Sequence, residues 1–185
     1  MNDRHDTTRV GKACRTRPYT SPVELAVGDL VVYGGHGAGR VVAREQRGSG
    51  ETRHDVIVLQ LPGGLTVTLP VALACDHLRP LASEGEMASV QRTLRTTAPP
   101  CEPVWLKRHK ATRAKLAAGQ AIGLAEVVSD GNRRAQAASG RLSIGERELY
   151  VKARQLLANE IALVRGIQPA NADDWIANQL TYASH

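Results

Sequence analysis

Between residues 23 and 80 the apolar positions come in short β-rich runs separated by glycine. Leu30-Val31-Val32-Tyr33 follows the turn signal Gly28-Asp29, Gly34-Gly35-His36-Gly37 reverses the chain, and Gly39-Arg40-Val41-Val42-Ala43 predicts a second strand. Gly48-Ser49-Gly50 breaks the chain before Val56-Ile57-Val58-Leu59. Pro62-Gly63-Gly64 then turns into Leu65-Thr66-Val67-Thr68-Leu69, which alternates apolar and polar as a half-buried strand does. Leu78 marks a short closing strand. Four or five strands in about sixty residues, with glycine at the corners, predict a small barrel of SH3 or Tudor type.

After Arg79-Pro80 the period lengthens to that of helices. Met87, Val90 and Leu94 share one face of a first helix. Pro99, Pro100 and Pro103 precede Trp105, so a second helix opens there and ends at Gly119. A third begins near Gln120, with Ile122, Ala125 and Val128 on one face. Ser143-Ile144-Gly145-Glu146 has capping-box spacing, and the helix after it carries Leu149, Ala153, Leu156, Leu157, Ile161 and Val164 before Gly166 ends it. A short final helix around residues 173–181, with Trp175, Ile176 and Leu180, either docks or frays. The pattern predicts an α+β chain: a Tudor/SH3-like β-barrel at residues 22–82, then an all-α helical domain at 83–166. Residues 1–21, with Lys12, Arg15 and Arg17, are expected to form a disordered basic arm, and 167–185 a tail with the short helix. There is no internal repeat and no low-complexity tract.

Composition sharpens this in one place. A length of 185 residues with 42% hydrophobic and 23% charged is globular, and with no phenylalanine the cores must be built from Leu, Val, Ile and Ala. The formal charge of +6 is uneven, and residues 105–115 account for the surplus of the second half. Lys107, Arg108, Lys110, Arg113 and Lys115 fall there with no acid among them. Cations this dense repel one another unless an anion is near, and a polyphosphate backbone is the commonest such partner. Trp105, one of two tryptophans, stands at the edge of the patch. Such a ring either wedges against an unstacked base pair or caps the core while the charges form a solvated face. The residues alone leave both open.

Other chemistry finds little support. Cys14, Cys75 and Cys101 are too far apart for a disulfide framework or a zinc site, as expected in a reducing cytoplasm. The first residues include no apolar leader run, and no apolar stretch approaches the eighteen or so residues that span a bilayer. Residues 34–39 are glycine-dense, yet lack the Gly-Lys-Ser/Thr of a phosphate loop. No two of His36, His54 and His77 stand at i, i+4, and Cys75 with His77 has no second ligand pair, so neither metal nor cofactor is expected. No nucleophile elbow or Cys-His pair suggests catalysis. Glu146 and Glu148 read as carboxylates at a helix N-terminus, and Trp175 as a docking residue.

The order of several motifs resembles one family. Gly28-Asp29-Leu30-Val31-Val32-Tyr33 with His36-Gly37 and Arg40-Val41, then Leu65-Thr66-Val67 and Leu69-Pro70, are similar to the N-terminal module of the CarD/CdnL regulators. That module is in turn similar to the polymerase-interacting domain of transcription-repair coupling factor. The resemblance continues through Trp105 with Lys107, Arg108 and Lys110, Lys115-Leu116-Ala117-Ala118-Gly119, Ala125-Glu126-Val127-Val128, and Leu142-Ser143 with Gly145-Glu146. Ala153-Arg154-Gln155-Leu156-Leu157 with Glu160-Ile161-Ala162 closes it. Single pieces occur in other small barrels; the ordered combination is specific.

The resemblance implies a barrel that docks on the RNA polymerase β subunit by strand addition, and helices that reach promoter DNA at the upstream edge of the transcription bubble. Trp105 matches the family's wedge tryptophan, and Lys107, Arg108 and Lys110 match its backbone contacts; Arg113 extends the same basic face. Arg47 matches a basic polymerase contact, whereas the other such position holds Thr68, which implies weaker or altered docking. Relatives place large apolar residues where this chain has Gly131-Asn132, and glycine costs about 1 kcal/mol in a helix; a break near Asp130 is expected, and a diverged paralogue is expected as readily as a housekeeping member. The expectation is a monomeric, cytoplasmic, non-enzymatic transcription regulator without cofactor. The alternative is a protein–protein adaptor whose basic helix binds an acidic protein surface.

Overall fold

The computed structural model describes residues 25–49, 53–96, 104–137 and 142–182. The expected basic arm, the prolines before Trp105, Cys14 and Cys101 lie outside the described residues.

Five strands form one antiparallel sheet: β1 (Leu30–Tyr33), β2 (Gly37–Arg47), β3 (His54–Gln60), β4 (Thr66–Pro70) and β5 (Leu78–Pro80). Their order is β4-β3-β2-β1-β5. The alternation read from the sequence fixes the faces. Val31, Val41, Ile57, Leu59 and Leu69 enter one apolar cluster with Leu25 and Leu78. Val32 and Ala38 turn the other way and join Leu81, against Leu163 and Val164. A register shift between Val41 and Ala43 bulges β2 and leaves Val42 exposed.

The sheet does not close, which corrects the expected Tudor- or SH3-like barrel. After β4 the chain spends seven residues in a helix the sequence reading missed, α1 (Val71–His77), which covers the end of the cluster with Val71 and Ala74. Strand β5 is then three residues long and pairs with β1 alone, and its Arg79 reaches the helices instead of β4. β4 therefore keeps one edge unpaired among the described residues.

The helices are α2 (Glu84–Arg95), α3 (Trp105–Ala118), α4 (Ala121–Gln136), α5 (Ile144–Arg165) and α6 (Pro169–Tyr182). Capping boxes start α2, at Ser83 and Glu86, and α5, at Ser143 and Glu146; each satisfies amide groups that helix starts leave without partners. Leu94 of α2, Leu124 and Val128 of α4, Leu157 and Ile161 of α5, and Ile176 of α6 share one core. On α4 the buried face runs through Ala121, Leu124, Ala125 and Val128; Ile122, assigned to it from the sequence, is 37% exposed. α6 docks rather than frays. Arg154 of α5 binds Asp173 at 2.5 and 2.8 Å, and Trp175 packs on the core beneath Arg165.

Helix α4 runs unbroken through Gly131, contrary to the expected break near Asp130. Gly131 is buried against Tyr150 of α5, and a Cβ at that position would collide with the ring. The aromatic fills the space a larger residue on α4 would take, so packing offsets the helix cost of glycine.

Candidate nucleic-acid interface

Helix α3 places the five cations in two different settings. Side chains advance about 100° per residue round a helix, so Lys107, Lys110 and Arg113 form one outer face. All three are exposed, and among the described residues none of them has an ion-pair or hydrogen-bond partner. Lys115 is bound instead to Glu126 of α4 at 2.8 Å. Arg108 turns inward: its guanidinium meets Glu146 of α5 at 2.9 and 3.1 Å, with the side chain 14% exposed. The basic stretch is thus three available charges and two neutralised ones, not a single broad face.

Glu146 is the centre of the inner arrangement. Arg134 of α4 reaches the same carboxylate oxygen at 2.9 Å, and the other oxygen accepts from the Ser143 amide at 3.1 Å. Burial alone would raise its pKa. Hydrogen bonds from Arg134, then Arg108, then Ser143 prevail and hold it at about 2. One carboxylate therefore ties α3, α4 and α5 together where α3 begins.

Trp105 is the first residue of α3 and is 48% exposed. It belongs to the inward stripe of the helix, with His109, Thr112 and Leu116 at i+4, i+7 and i+11. Leu116 is buried, whereas the indole at the first turn is half exposed. Its ring stacks on His109, centroids 5.1 Å apart and planes 18° from parallel. Val104 and Leu106, 49% and 66% exposed, make the helix tip a small apolar prominence beside the free cations. Val104, the N-cap residue, offers no side-chain cap and the first turn has no acid, so the amide dipoles at the start of α3 favour an anion there.

The two residues assigned to polymerase docking lie on the sheet. Thr68 sits in the middle of edge strand β4, exposed and opposite Val58 of β3. Arg47 ends β2 opposite His54, with its guanidinium 3.3 Å from Glu45. On β3 the partners of the two are four residues apart, about 13 Å along the strand; they share one side of the sheet without touching. Sequence reasoning missed His109 and Glu146 as parts of the α3 site. The i+4 spacing from Trp105 was the available signal for His109; nothing in the sequence pairs Glu146 with Arg108 and Arg134.

The described residues contain no group of three His, Cys, Asp or Glu side chains able to hold a metal ion, and no helix among them is long and apolar enough to cross a membrane. The fold defines a two-part molecule, an open-edged sheet joined to a helical bundle that presents an exposed tryptophan beside free cations. Residues 25–82 match the CarD-like/TRCF RID domain, and residues 89–177 match the CarD C-terminal domain. With both domains present in that order, the chain belongs to the CarD-like family. It is 24% identical over 143 residues to the candidate transcription factor YdeB of Bacillus subtilis (strain 168), covering 76% of this chain and 92% of that protein.

Proposed function

We propose that this chain is a non-enzymatic transcription regulator. The sheet, residues 22–82, docks on RNA polymerase at its β subunit through the open edge of β4. The helices, residues 83–166, set α3 against promoter DNA at the upstream edge of the transcription bubble and so modulate open-complex stability. The observation that carries this reading is Trp105, 48% exposed at the tip of a helix whose outer face holds Lys107, Lys110 and Arg113 without partners among the described residues. Duplex phosphates answer such charges, and a fork edge offers a ring the unstacked base pair it can wedge against. Family membership and the Bacillus relative's description support the same assignment, and the unpaired edge of β4 supports docking by strand addition. Arg108, held by Glu146, orients the helix and contributes less to the phosphate contact than the three outer cations.

The test compares retention on core polymerase with and without a forked promoter fragment, over a series of salt concentrations. Replacing Lys107, Lys110 and Arg113 by alanine should lower the slope of log K against log salt by about 0.9 per lost duplex contact, while binding to polymerase alone is unchanged. An adaptor whose helix grips an acidic protein would gain nothing from the fork, and that result would reject the proposal.

A further inference from the structure

Resting on the wedge reading above, we propose that His109 is the positioning residue for Trp105, a ring support that holds the indole in its outward pose and leaves its opposite face for a base. Trp105 has the first position of α3 and no turn of helix before it to restrict its rotation. Among the described residues, the aromatic partner of its ring is the imidazole one turn on, stacked at 5.1 Å and 18°. His109 is itself fixed. It lines a cleft with Thr112, Asp130, Arg134 and Tyr150, and its Nδ1 is sealed from solvent with no hydrogen-bond partner among the described residues. On the side of α5, Gly145 lies so near that a Cβ there would touch the His109 Cε1 at 3.8 Å. Packing, then, and not polar pairing at Nδ1, sets the plane of the imidazole. The Ser143–Glu146 capping box and the two arginines on Glu146 pin the wall it rests on.

The support acts by ring stacking, so two substitutions separate it from mere filling. His109→Leu keeps bulk and loses the stack; His109→Phe keeps the stack and loses the nitrogens. Open-complex lifetime on a promoter with polymerase is measured for both, for Trp105→Ala and for the pair with His109→Leu, with thermal unfolding alongside. His109→Leu should shorten the lifetime about 2- to 10-fold, the weight of one aromatic pair. His109→Phe should stay near the parent, and His109→Leu should add nothing once Trp105 is alanine. A lifetime unchanged by His109→Leu, a His109→Phe defect as large as that of Trp105→Ala, or additivity in the double variant would overturn the assignment. If Trp105→Ala shortens the lifetime and His109→Leu does not, the wedge stands and only this assignment falls. If Trp105→Ala has no effect, both fall.

Discussion

The Arg79 guanidinium closes on the Glu160 carboxylate at 2.7 and 2.8 Å, joining strand β5 to helix α5. Glu160 is 1% exposed and also accepts the Ala82 amide at 2.9 Å. Arg79 donates in addition to the carbonyl of Gly119, the residue that ends α3. Gly119 is in the left-handed region at φ 62°, and a side chain there would collide with the carbonyl of Gly34 in the turn between β1 and β2. The far end of the helix that carries Trp105 is thereby held to the sheet that carries Thr68, so under the proposed function a sheet docked on polymerase would present the indole at a set distance and angle.

Removing one member of this pair leaves the other charged in the interior. Glu160→Ala should cost about 3–5 kcal/mol of stability, and Arg79→Met combined with Glu160→Leu should recover much of it, because apolar residues of similar size often replace a buried pair without loss. Urea unfolding checks this. A cost below about 1 kcal/mol for Glu160→Ala would mean the pair is no clamp.

Glu146 makes the start of α3 acid-sensitive. Its pKa falls from 4.5 to about 2 on folding. A carboxylate with a depressed folded pKa gives stability that is full above its unfolded value and is lost as pH drops through the folded one. The melting temperature should therefore decline between pH 4.5 and about 2 more steeply in the parent than in Glu146→Gln, whose deficit is largest near neutrality. Parallel curves for the two proteins would show that Arg108 and Arg134 do not depend on this charge.

Sequence pattern revealed most of this arrangement because local rules governed it. Alternation located the strands, the Ser143–Glu146 spacing located the start of α5, and Gly119 and Gly166 end α3 and α5 in left-handed conformation as expected. What escaped was long-range. Whether a five-stranded sheet closes depends on whether β5 pairs its backbone with β4; here β5 pairs with β1, and its Arg79 is bound to Glu160, eighty-one residues on. The break expected at Gly131 failed for the same reason: Tyr150, on another helix, fills the gap. At the site, spacing put five cations on α3 but could not show that Glu126 and Glu146 neutralise two of them.

The open edge of β4 gives the docking proposal its own test. Arg47 and Thr68 are exposed, so changes there should hardly affect stability. Arg47→Glu should weaken retention of the polymerase β subunit, and Thr68→Arg should strengthen it by adding a cation to the edge. Pull-down of the isolated subunit reads both; equal retention of all three proteins would place the docking surface elsewhere.

One substitution decides whether Trp105 acts on DNA or in the core. Trp105→Ala is followed by open-complex decay and by thermal unfolding of the same preparation. A ring that wedges at the fork should take about 1–3 kcal/mol of open-complex stability with it, the scale of stacking on one base, while the melting temperature barely moves. A ring that serves the fold would instead cost about 3–5 kcal/mol of protein stability. A large fall in melting temperature with an unaltered open-complex lifetime would contradict the account.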